Sequence, residues 1–115
     1  MTAAKILKMI RSVDPADTKT LDEIDSLVWE YCGYKVHSDP MTDYTRSRDE
    51  IKSLRPEGWH IKLEQGVNYW TGLIGKPTCE HGCWKPNFDL FGKTEELTEL
   101  AGVIQAIEYE RNWQE

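Results

Sequence analysis

The chain has 115 residues, the size of one domain, with a net charge of −6 spread along its length and five Trp and five Tyr to fill a core. No apolar run approaches the ~20 residues of a membrane span, and no basic face suggests direct contact with nucleic acid. The acidic balance suits solubility and permits a partner with a basic surface, while three cysteines, an odd count, fit a reducing compartment better than a disulfide scaffold.

Ile6, Leu7, Ile10 and Val13 recur at helical spacing, predicting a helix over residues 3–13. Asp14-Pro15 ends it, because the residue before a proline is forced out of helical geometry. This opening segment lacks the unbroken apolar core of a signal peptide, so a cytoplasmic location is expected. A second helix is expected from Thr20, where Thr20 and Glu23 have capping-box spacing; Leu21, Ile24, Leu27, Val28 and Tyr31 share its apolar face, and Gly33 stops it. Residues 34–36 read as a short edge strand and residues 37–43, polar and containing Pro40, as a loop. Ser47 and Glu50 repeat the capping-box spacing ahead of a short helix that buries Ile51 and Leu54, and Pro56-Glu57-Gly58 turns the chain.

Trp59, Ile61 and Leu63 alternate with His60, Lys62 and Glu64, the period of a strand with one covered face. Gly66 marks a hairpin connection over residues 65–68, residues 69–74 return, and Gly72 is a candidate bulge. Residues 75–87 read as a long irregular loop and residues 88–91 as a third strand, broken by Gly92. Thr94 caps a last helix over residues 95–112, with Leu97, Leu100, Ala101, Ile104 and Ile107 inward and Glu95, Glu96, Glu99 and Glu108 toward water. The expected fold is α+β in a single domain. A three-stranded antiparallel sheet, four-stranded if residues 34–36 join, carries helices in an α/β/α sandwich-like arrangement. Residues 1–19 form an N-terminal helix and linker, and residues 20–112 the core.

Leu21-Asp22, the run Tyr44-Thr45-x-Ser47-x-Asp49, Leu54-x-Pro56-x-Gly58-Trp59, and a last helix carrying Ala101, Ile104 and Ala106 together resemble the phage ABA sandwich domain family over roughly residues 20–110. The Tyr-Thr-x-Ser-x-Asp run followed by Pro-x-Gly-Trp is its most specific part. The resemblance implies a layered helix–sheet–helix fold and a bacteriophage or prophage origin, hence the host cytoplasm as location. It implies no catalytic residues.

Three features are candidate sites. Cys79, His81 and Cys83 place two thiols and an imidazole within five residues, but zinc needs four ligands, so a fourth must come from Cys32, His37 or His60; a plain loop is the simpler reading. Those three residues lie too close together for a Cys–His nucleophile with an oriented base. Arg46 and Arg48 beside Tyr44 could hold an anion or a nucleotide phosphate at a helix start, whereas a cap and a packed Tyr44 explain the same stretch structurally. Trp70 and Trp84 are partner anchors if helices cover one sheet face, and core if they cover both. The resemblance, together with the acidic balance and the lack of a catalytic constellation or cofactor motif, implies as the expected function a phage-encoded, non-catalytic protein that binds a basic host protein, an inhibitor of anti-phage defence. The alternatives are a protein that sequesters a nucleotide signal and a zinc-binding module. A homo-oligomer through the last helix or residues 34–36 is compatible with the pattern.

Overall fold

Four α-helices and three strands occur in the order α1 (Ala3–Ser12), α2 (Thr18–Tyr31), α3 (Arg48–Leu54), β1 (His60–Gln65), β2 (Trp70–Pro77), β3 (Trp84–Gly92) and α4 (Glu95–Trp113) in a computed structural model that describes residues 3–77 and 83–113. The strands form an antiparallel sheet in the order β1-β2-β3, with Ile61 opposite Ile74 and Ile74 opposite Phe88. Gly58, at φ 88°, supplies the left-handed residue that turns the chain from α3 into β1. The protein is therefore α+β, as the pattern of periods predicts.

The layers are set by α4. On its sheet side Ala106 and Tyr109 pack with Trp59, Ile61, Leu63, Ile74, Phe88 and Leu90. Gly102 makes the approach close: a Cβ there would come within 2.7 Å of Leu90 Cδ1. On its other side Leu97, Leu100, Val103, Ile104 and Ile107 meet Ile6 and Ile10 of α1, Ile24 and Val28 of α2 and Ile51 of α3. The order is sheet, α4, then the remaining helices. Among the described residues no helix packs on the opposite sheet face, where His60, Lys62, Glu64, Asn87, Asp89 and Phe91 are exposed.

Several local expectations change. Residues 34–36 do not form a strand; Gly33–Lys35 is a 3₁₀ turn closed by Val36 N–H on Gly33 O at 3.0 Å, so the sheet stays three-stranded. Helix α2 starts earlier than Thr20, because Asp17 is the better cap: its carboxylate accepts from Thr20 N–H at 3.2 Å and from the Thr20 hydroxyl at 2.6 Å, which holds it below the usual carboxylate range. Strands β2 and β3 extend well into the segment read as loop, and the register shift falls between Gly75 and Pro77, away from Gly72.

Glu99 is the main correction. It is 1% exposed, and Arg48 Nε donates to its Oε1 at 2.7 Å, while Arg48 also pairs with Glu95. A helix covered on two sides has no broad solvent face in its middle, so the simple inside–outside stripe fails there. Among the described residues Glu99 Oε2 has no hydrogen-bond partner, so the ion pair with Arg48 is what compensates its burial. Arg48→Met should therefore destabilise the fold by about 2 kcal/mol, reduced from a fully buried pair because Arg48 is partly exposed. Arg48→Met combined with Glu99→Leu should recover most of that loss in urea midpoints; a double variant as unstable as the single one would contradict the assignment.

Candidate functional site

The segment leading into α3 was the strongest candidate for an anion site, and its geometry is that of an internal ion-pair network. Thr45 N–H donates to Asp25 Oδ1 at 2.7 Å. Arg46 Nη2 then lies 2.5 Å from Asp22 Oδ1, 2.9 Å from Asp25 Oδ2 and 3.2 Å from Asp43 Oδ1. Burial pushes the Asp25 carboxyl above its usual range, against the downward pull of Thr45 N–H and Arg46. The carboxylates of Asp22, Asp25 and Asp43 lie within 4.8 Å of one another, the spacing of a metal site, but the Arg46 guanidinium already stands at their centre as the cation. Arg48 points away to Glu95 and Glu99. A phosphate would have to compete with five carboxylates for these two guanidinium groups.

Tyr44 is fully buried beneath Gly33, where any Cβ would collide with its hydroxyl. Its OH lies 2.8 Å from His37 Nδ1, and His37 Nε2 lies 2.8 Å from Glu50 Oε2 and 3.0 Å from Ser53 Oγ. Glu50 is thus committed to His37, and Ser47, at the cap position of α3, makes no side-chain cap bond, so the expected capping box is not formed. Tyr44, His37, Glu50 and Ser53 look superficially like a hydrolytic constellation. The geometry opposes that chemistry. A carboxylate facing Nε2 requires a proton on that nitrogen, so Nε2 cannot accept one from Ser53, whose hydroxyl already donates to Glu50 O at 2.6 Å. The network instead fastens the chain after α2, aided by Trp29 Nε1 donating to His37 O at 2.9 Å.

Above that network lies a surface depression of about 540 Å³, lined by Val36, His37, Asp39, Met41, Asp43 and Glu50 with Ser and Thr side chains between them. Val36 and Met41 are 50% and 66% exposed. Among the described residues no lysine or arginine lines the depression, which brings two exposed apolar side chains together with three carboxylates. The sequence signal was slight: Val36 lies in the segment read as an edge strand, and Met41 is the large apolar residue of the polar loop over residues 37–43.

The aromatic candidates separate. Trp70 alternates with Gly72 and Ile74, so it lies on the helix side and is half-buried. Trp84 lies on the open side, its ring centroid 6.0 Å from that of His60 and 5.2 Å from Lys62 Nζ. Tyr69 and Phe91, which the sequence did not single out as anchors, stack at 5.7 Å on that open side and are 43% and 46% exposed. Of the thiol–imidazole loop, Cys83 is exposed, and Cys79 and His81 lie outside the described residues. Cys32 is buried in the core among the helices.

Compared with known protein families, curated proteins and solved structures, the chain matches none of them.

Burial pushes the Cys32 thiol up to about 11 from 9.0, and the Tyr44 phenol up to about 12 from 10.0. In each case the folded chain holds its proton more tightly than the unfolded chain. That stabilisation is complete below the unfolded value and is lost as pH rises through the folded one. Thermal stability should consequently fall between about pH 9 and pH 11 with a contribution from Cys32, and Cys32→Ala should flatten that part of the profile. An identical slope in wild type and Cys32→Ala would remove Cys32 as a cause.

Proposed function

We propose that this is a phage-encoded, non-catalytic accessory protein that docks a basic host protein at the Val36–Met41 depression. Acting in the host cytoplasm, it inhibits an anti-phage defence system. The observation that carries the docking site is the lining itself: two exposed apolar side chains, a histidine and three carboxylates, without a lysine or arginine among them. Apolar anchors beside an acidic rim, in which Asp43 also faces Arg46, Glu50 faces His37 and Asp39 has no ion-pair partner among the described residues, suit a partner that brings an aliphatic or aromatic knob flanked by Lys or Arg, and the acidic rim speeds and orients its approach. The chain's net charge of −6 works in the same direction. No helix among the described residues is long and apolar enough to cross a membrane.

A binding role also agrees with how the polar residues are used. The guanidinium groups of Arg46 and Arg48 face carboxylates of their own chain, and His37 fastens a loop. The phage origin and the defence target rest on the resemblance of Tyr44-Thr45-x-Ser47-x-Asp49 and Pro56-x-Gly58-Trp59 to the phage ABA sandwich domain family.

The tagged chain expressed in a bacterial host should retain one protein at near-equal amounts, and Asp39→Lys with Met41→Glu should lose it while folding normally. In a defence-bearing host, the wild-type chain should restore plaque formation by a sensitive phage and the double variant should not. Absence of any stoichiometric partner, or full restoration by the variant, would sink the reading.

A further inference from the structure

The uncovered face of the sheet is a second surface, separated from the Val36–Met41 depression by α4 and the helix layer. Its centre is a row across all three strands, in which Lys62 of β1 pairs with Leu73 of β2 and Leu73 with Asp89 of β3. The next row toward the hairpin is Glu64, Thr71 and Phe91, with the Tyr69 ring stacked on Phe91 and Val67 90% exposed at the hairpin tip. The strands are ~4.8 Å apart, so the backbone positions of Lys62 and Asp89 stand about 10 Å from each other across Leu73. Among the described residues neither has an ion-pair partner in its own chain, and Lys62 rests against the Trp84 ring.

We infer that this face binds a second copy of the chain, sheet against sheet, about a two-fold axis running along β2. Turning the sheet about that axis exchanges the places of β1 and β3. Lys62 of each copy then lies over Asp89 of the other, twice in the dimer, and Leu73 meets its own counterpart at the centre. Because the axis runs along the strands, both hairpin ends fall at the same end, where Tyr69, Phe91 and Val67 of the two copies converge. The alternative two-fold axis, across the strands, would set Lys62 on Lys62 and Asp89 on Asp89, which like-charge repulsion disfavours. An isologous contact needs a patch complementary to itself, and opposite charges placed symmetrically about an apolar centre meet that condition. Aligned sheets of this kind pack ~10 Å apart with their strands turned by about 30°.

Size sets the strength. Three strands of about eight residues give a face of roughly 14 by 26 Å, or about 350 Å² per copy before side chains are added. That is under half of the ~800 Å² that each partner contributes to a stable complex, so the dimer is weak, with Kd of order 10–100 μM. The contact leaves the proposed docking depression free, and neither reading depends on the other.

Sedimentation velocity of the full chain between about 1 and 500 μM tests this. A shift from monomer to dimer across that range is expected. K62D and D89K should each weaken association about tenfold by turning two attractions into repulsions, and the combined K62D/D89K chain should restore it to within about threefold. Both positions are exposed, so circular dichroism of each variant should remain that of the wild type. A chain that stays monomeric throughout would overturn the inference. So would a dimer indifferent to the single reversals, or a double variant that fails to recover.

Discussion

Helix α4 must satisfy a sheet on one side and three helices on the other, and most of the architecture follows from that demand. Its middle carries Leu97, Leu100, Ala101, Val103, Ile104, Ala106 and Ile107, all buried, so the helix is apolar nearly all round. Its sheet-facing side is narrow: Thr98, Gly102 and Ala106 recur every four residues, and small side chains let the axis close on Leu90 and Ile74. At the ends of that line Thr98 Oγ1 donates to Thr94 O at 2.8 Å and Glu110 accepts from both Trp59 Nε1 at 2.8 Å and Lys76 at 2.9 Å. The helix is thereby tied to the start of β1 and the end of β2.

Charges that fall between layers have to be neutralised inside the chain. Glu99 lies where α3 meets α4, and Arg48 reaches it from the first turn of α3. Asp25 lies on α2 under the loop that precedes α3, and Arg46 together with Thr45 N–H answers it. Tyr31 adds a third such junction: it hydrogen-bonds Glu108, while Arg111 donates to Tyr31 O at 2.7 Å and lies 4.3 Å from its ring centroid. Each pair couples one of the outer helices to α4 or to its neighbour, in positions where apolar packing alone would leave relative rotation open. A basic residue beside a helix start is therefore a poor guide to an anion site when an acidic residue sits on the facing helix.

The periods in the sequence were enough to place the helices, the meander and the inner face of the sheet. Trp59, Ile61 and Leu63 alternate because one side of β1 is covered, and that side is the α4 side. What the pattern could not show is which faces meet. Glu99 has the composition of a solvent residue and the position of a core one, since burial there depends on Arg48, which is 51 positions away in the chain. The capping box at Ser47 and Glu50 fails for a related reason: His37, brought in by the loop, competes for the Glu50 carboxylate at 2.8 Å. Of the candidate site, Tyr44, Arg46 and Arg48 were visible in sequence, but their partners were not, and Val36 and Met41 gained meaning only once the loop had closed around them.

Placing every helix on one side of a three-stranded sheet has a consequence for recognition. The sheet must then present its second face to solvent, and antiparallel strands do this without penalty only when that face is polar. Here it is mixed. Lys62, Glu64 and Asp89 satisfy the requirement, whereas Tyr69, Phe91 and Val67 do not. Of the six large apolar residues most exposed among those described, Val67, Tyr69 and Phe91 lie at the hairpin end, Val36 and Met41 line the acidic depression, and Tyr34 precedes them in the chain. Single exposed apolar side chains need no explanation, but clusters raise the free energy of the isolated chain and lower it on association. The first group lies beside a charge row that is its own complement under a two-fold axis, and Val36 and Met41 share their depression with three carboxylates. Symmetry therefore suits the sheet face to the proposed second copy of the chain, and the acidic lining suits the depression to the proposed basic partner.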